Sequence, residues 1–221
     1  METLSNGHKS KLRNQIITGA RNYNKYLVNK VFKIVCADGL EVDVRFFPSD
    51  YKHLTGLYSN LGDDDFYRNC VLGTIDVGNI ATDQKYNWST LRTKGKHVEK
   101  IHELFYKDGG KSLLLEVLDT RTCIFPYAVK SPASNMCIGF ATDVNKARTL
   151  RKASASTKSK AEKRIIAIFA KQVGNITYNE LVYVSNVVGI YEKDELLLDK
   201  LDDSLQMKFL EIITKPEQLC V

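Results

Sequence analysis

The residues of this chain best suited to chemistry are its histidines and one basic stretch. Histidines stand at positions 8, 53, 97 and 102. Histidine takes or gives a proton near neutral pH, and its neighbours decide which. His8 lies in a polar terminus read as frayed. His97 and His102 are five apart on one expected helix, so they do not share a face. That stretch also lacks the His-Glu-x-x-His spacing that holds zinc. His53 follows an expected strand, inside a short element closed by Gly56, with Arg45 nearby in sequence. On the residues alone it reads first as a turn histidine packed under a sheet, and second as an acid or base. The basic stretch runs from Asp143 to Lys171, with nine Lys/Arg against two acids, about +7. Within it Arg148 and Arg151 are three apart and can present two guanidinium forks to one anion.

That inventory suits RNA cleavage without a metal. The reaction needs a base for the ribose 2′-hydroxyl, an acid for the leaving 5′-oxygen, and cations on the phosphorane-like transition state. Other chemistries find no foothold. There is no G-x-x-x-x-G-K-[ST] and no G-x-G-x-x-G, so no nucleotide cofactor is expected, and no G-x-S-x-G that would mark a serine nucleophile. No carboxylate set is spaced for a two-metal site. Asp63-Asp64-Asp65 reads as helix-start acids facing a dipole. The five scattered cysteines form no C-x-x-C pair and read as reduced core thiols. Neither a metal nor any other cofactor is expected.

The net charge of +6 favours a polyanionic partner. A basic stretch is also often only a solvated loop. No run of about 18 apolar residues exists, so no membrane span is expected. Met1 to Lys11 is polar, without the apolar core of a secretory leader, so a cytoplasmic location is expected.

These groups need elements to hold them. Helical spacing of Ile16, Ala20, Tyr23 and Leu27 predicts a helix over Lys11 to Val28. Asp38-Gly39 predicts a hairpin turn between strands Val31 to Ala37 and Leu40 to Phe46. Ser49 or Asp50 then caps a short helix through His53, and Gly56 ends it. Further helices are expected at Asp63 to Leu72 and Trp88 to Tyr106. Lys111 to Leu118 reads as helix or strand. Strands follow at Cys123 to Lys130, Asn135 to Ala141, Lys163 to Val173 and Leu181 to Asn186. Between them the Ser/Ala/Lys run ending at Lys160 reads as a mobile loop. Glu192 to Thr214 is an expected helix with Leu197, Leu201, Leu205, Phe209 and Ile212 in its stripe. The segment from Ser185 onward carries four lysines against eight acids, about −4. The chain divides on this reading into an N-terminal helix (1–30), an α+β domain (31–186) and an acidic helical appendage (187–221).

The segment Phe47-Pro-Ser-Asp-Tyr-Lys-His53-Leu-Thr-Gly56 resembles the His-Leu-x-Gly signature of a phage-associated nuclease family. That family is the fourth phage-encoded branch of the barnase–EndoU–colicin–RelE-like superfamily. Further blocks follow in order: Asp65-Phe66-Tyr67, Leu115-Glu116, Lys130-Ser131-x-x-Ser134, Cys137-Ile138-Gly139-Phe140, Ala147 to Lys152 and Arg164 to Phe169. The resemblance covers about Val31 to Val184. It implies N-terminal helices on a curved antiparallel sheet of about four strands, with a C-terminal helix outside the match. It implies His53 as general acid or base, and Arg148 and Arg151 as phosphate or transition-state ligands. Lys130, Ser131, Ser134 and Lys152 would line the same groove.

The expected function is therefore a metal-independent endoribonuclease, a toxin or phage effector acting on RNA. The rival is a non-catalytic RNA- or protein-binding effector on the same fold. The acidic C-terminal helix is the element that would take a protein partner.

Overall fold

The computed structural model describes residues 4–82, 86–120, 122–143, 145–153, 158–185 and 195–214. Helix α1 (Asn6–Tyr26) starts at Ser5, whose side chain accepts from His8 N–H. Its stripe Ile16, Ala20, Tyr23 and Leu27 is wholly buried. The hairpin β1 (Lys30–Cys36) and β2 (Glu41–Arg45) turns at Asp38-Gly39. The short helix α2 (Tyr51–Thr55) ends on Gly56, which takes the left-handed φ of 70°. A two-residue strand β3 (Leu57–Tyr58), helix α3 (Asp63–Leu72) and strand β4 (Ala81–Thr82) follow.

The expected helix from Trp88 to Tyr106 is two helices, α4 (Trp88–Glu99) and α5 (Glu103–Tyr106). The Glu99 carbonyl, which an unbroken helix would pair with Glu103 N–H, accepts instead from the Asn22 side chain at 2.9 Å. Glu103 N–H turns back to the Lys100 carbonyl. The ambiguous segment before residue 119 is strand β5 (Leu113–Asp119). Strands β6 (Ile124–Ser131) and β7 (Met136–Phe140) stand near their expected places. So do β9 (Ala161–Gln172) and β10 (Glu180–Val184).

An additional strand, β8 (Ala147–Lys152), lies in the segment between β7 and β9 where sequence suggested none. As an edge strand it needs few apolar residues, and only Ala147 and Leu150 are buried in it. The strand count of about four is corrected to eight. The sheet runs β2-β1-β9-β5-β6-β7-β8, and β10 also pairs with β9. The hairpin and the later strands are one sheet because β9 is 12 residues long. One edge of β9 pairs with β1. Its other edge takes β5 at residues 161–164 and β10 at residues 167–170. The sheet curls until its ends touch. Arg45 bridges Lys146, and Arg45 N–H donates to the Asn145 carbonyl at 3.1 Å.

Helices α1 to α4 cover the concave face over an apolar core that includes Tyr23, Phe32, Phe46, Tyr51, Phe66 and Leu150. The expected C-terminal helix is α6 (Glu195–Leu198) and α7 (Asp203–Thr214). Residues 192–194 lie outside the described residues. The break falls where Tyr178 N–H donates to the Lys200 carbonyl and Asp202 N–H donates to that of Tyr178. Leu197, Leu201, Leu205 and Phe209 pack on Val31, Ile166 and Phe169 across the opposite sheet face. Ile212 is half-buried. Among the described residues no helix is long and apolar enough to cross a membrane.

Candidate active site

Three elements enclose a cavity of about 790 Å³. Helix α4 contributes Thr90, Thr93, Lys94 and His97, the i, i+3, i+4 and i+7 positions of one face. The neighbouring face of the helix, with Leu91 and Val98, is buried in the core, which fixes the rotation of α4 and so the direction of the polar stripe. Strand β8 contributes residues 148 to 152. The turn between β5 and β6 closes the third side with Thr120, Thr122 and Cys123, joined by Phe125 at the start of β6. Thr120 holds that turn by donating to the Cys123 carbonyl at 2.7 Å and accepting its N–H at 3.0 Å.

Lys94 ties α4 to β8. Its side chain is buried, and Nζ donates to the Leu150 carbonyl at 2.6 Å. Burial and the nearby Arg151 guanidinium lower its pKa to about 8. The stem passes so close to Gly56 that a Cβ there would meet Lys94 Cδ at 2.6 Å. Gly56 thus closes α2 in a left-handed turn and makes room for the lysine that braces the cavity.

Arg148 is the extra residue of a β-bulge. Ala147 faces Phe140 and Thr149 faces Gly139, leaving Arg148 between them. Its charge reaches beyond the cavity and, after burial, is the main influence lowering the His53 pKa. His53 is half-exposed on α2, with Nε2 3.6 Å from Asp63 Oδ2, and it does not line the cavity. Asp50, almost fully buried, sits near the same arginine and Lys146. Burial raises its carboxyl to about 6, against those cations and the Phe47 N–H it accepts.

The residues expected from sequence therefore fall into three places. Arg148, Arg151 and Lys152 share the cavity. His53 feels the charge of Arg148 but does not line the cavity. Lys130 is paired with Glu162 at 2.8 Å. Ser131 is buried and donates to Asp108 at 2.8 Å, and it accepts the N–H of Ser134. His97 and Lys94 were not read as a pair. Their i, i+3 spacing on a polar helix face is the signal in the sequence, whereas His102, five residues beyond His97, stacks on Tyr26.

Among the described residues, four cations line the cavity: Lys94, Arg148, Arg151 and Lys152. No carboxylate is among the described residues lining it. Such a wall attracts a phosphate and stabilises charge that builds on it. Among the described residues, no three His, Cys, Asp or Glu side chains gather to hold a metal.

Residues 15–187 match the family described as phage-Barnase-EndoU-ColicinE5/D-RelE like nuclease4. The chain belongs to that nuclease family. The match includes every wall of the cavity and stops before α6 and α7, so the helices on the opposite sheet face lie outside it. No curated protein and no solved structure matches the chain. Membership makes nucleic acid the substrate class to which a cationic cavity in this nuclease is matched.

Proposed function

We propose that this nuclease is an endoribonuclease whose active site is the α4–β8 cavity. The ribose 2′-oxygen attacks the adjacent phosphorus, the bond to the 5′-oxygen breaks, and the products are a 2′,3′-cyclic phosphate and a free 5′-hydroxyl. No metal takes part. One observation carries the reading: Arg148, Arg151 and Lys152 line the same cavity as Lys94, with no carboxylate among its described residues. In this reading Arg148 and Arg151 hold the non-bridging phosphate oxygens and Lys152 holds a flanking phosphate. His53, beside Arg148, serves the proton transfers. The phage-effector or toxin role rests on the family alone, and a cytoplasmic site of action on the polar N-terminal stretch and the lack of an apolar run long enough to span a membrane.

A second reading is RNA binding without catalysis. It is favoured by the position of His53, which stands outside the cavity lining. Labelled RNA incubated with the purified full chain in EDTA separates the two. The first reading requires cyclic-phosphate products that disappear in Arg148→Ala and Arg151→Ala. Salt-dependent binding without any turnover selects the second.

A further inference from the structure

His97 is the one histidine lining the cavity, and its two ring nitrogens differ sharply. Nδ1 is fully buried and has no hydrogen-bond partner. The residue as a whole is only half-buried, so Nε2 is the nitrogen left for the cavity. A neutral imidazole carries its proton on one nitrogen only. A proton on Nδ1 would bury an unpaired N–H, whereas a proton on Nε2 buries only an unpaired acceptor. Orphaned buried N–H groups are the rarer of the two in folded proteins. No carboxylate among the described lining residues is available to draw the proton to Nδ1.

We propose that His97 acts as a neutral hydrogen-bond donor, presenting Nε2–H to a non-bridging oxygen of the RNA phosphate, rather than as an acid or base. This rests on the cavity being the site of phosphodiester cleavage. The groups around the ring agree. Lys94 and Lys96 on α4 and Lys152 on β8 all oppose a positive charge there, after burial itself, and together they hold the ring neutral down to about pH 4. Arg148 and Arg151 on β8 add positive charge to the same cavity, while Tyr86 and Cys123 are the other titratable side chains among its described lining residues. A neutral imidazole used to polarise an oxygen, with its pKa lowered by its surroundings, is a known catalytic arrangement. The donor adds to the two arginines as negative charge grows on the phosphate oxygens. It loses no proton in the reaction, so the proton balance of the cleavage is unchanged.

Glutamine separates the roles, because its side-chain amide donates from about the position of Nε2 but moves no proton. In RNA cleavage, His97→Gln should retain activity within about tenfold of the parent, while His97→Ala should lose about 100-fold, the usual cost of one such donor. Equal loss in both folded variants overturns the proposal. Ring-¹⁵N NMR of the unmodified full chain at pH 7 gives an arm independent of turnover. It should show His97 neutral with the proton on Nε2, and that nitrogen's signal should move when inorganic phosphate is added. An imidazolium, an Nδ1–H tautomer, or no response to phosphate overturns the proposal. Absence of cleavage by the parent chain would refute the endoribonuclease reading, and the NMR arm would still decide how His97 is protonated.

Discussion

Replacing Lys94 with methionine should change the pH dependence of stability in a calculable way. Methionine keeps an unbranched stem of similar length for the gap beside Gly56 and removes the charge. Folding lowers the Lys94 pKa from 10.5 to about 8. Below pH 8 both folded and unfolded chains carry the proton, and the folded chain bears the whole cost of burying it. Between about 8 and 10.5 the unfolded chain binds a proton that the folded chain has released, so stability rises with pH. At about 1.4 kcal/mol per pKa unit, the cost near neutrality is roughly 3 kcal/mol, and most of it is relieved by pH 10. The methionine variant escapes that cost but leaves the Leu150 carbonyl unpaired, itself a loss of about 1–3 kcal/mol. The two nearly cancel at pH 7, so the informative quantity is a difference of differences. Urea unfolding of both proteins at pH 7 and pH 10 should show the parent gaining about 2–3 kcal/mol on Lys94→Met across that interval. Groups common to both proteins drop out. A gap that stays constant within about 0.5 kcal/mol would refute the reasoning, since Lys94 would then titrate like a surface lysine.

Other expectations follow from the same contacts. Gly56→Ala should cost at least about 1–2 kcal/mol, from the left-handed φ alone, with more added by displacement of the Lys94 stem; thermal unfolding measures it. Asp50→Asn should flatten stability between pH 4 and 6. The folded carboxyl holds its proton to about pH 6 and the unfolded one only to about 4, so the parent loses roughly 2–3 kcal/mol as pH rises through that window and the variant does not. Arg151→Ala should weaken RNA binding and reduce the salt-dependence slope by about one, while Lys130→Ala, whose lysine is already paired with Glu162, should leave both unchanged in filter-binding titrations. Phe209→Ala, removing a ring that packs edge-on against Phe169, should cost about 3–5 kcal/mol by denaturant unfolding.

Local signals served the N-terminal half well. Helix α1, the Asp38-Gly39 hairpin, α2 with its Gly56 stop and α3 each rest on periodicity or turn chemistry contained within a few residues. Strand β8 escaped because its outer edge faces the cavity, so Arg148, Arg151 and Lys152 replace the alternation that marks a half-buried strand. The helix breaks at Lys100 and Lys200 escaped because their causes, Asn22 and Tyr178, are distant in sequence. The candidate site shows the same division. Arginine spacing brought Arg148 and Arg151 to attention from the strand's own sequence. The wall opposite them comes from α4 and from the Thr120–Phe125 turn, and only the curl of the sheet brings those together. Half of that wall is marked in the sequence by Lys94 and His97, three residues apart on one helix face.

The length of β9 also sets an order of events during synthesis. Every described residue lining the cavity lies between Tyr86 and Lys152, so all of these leave the ribosome before β9 does. Yet β1 pairs with β9 along its full length, and β5 pairs with the start of β9, so neither strand has its second neighbour until β9 is made. Pairings this far apart in sequence form late and slowly. For a nuclease, the interval before Gln172 emerges is a period in which the cationic wall exists without the strand that braces it. The sheet that carries the cationic wall is therefore completed only once β9 has been made.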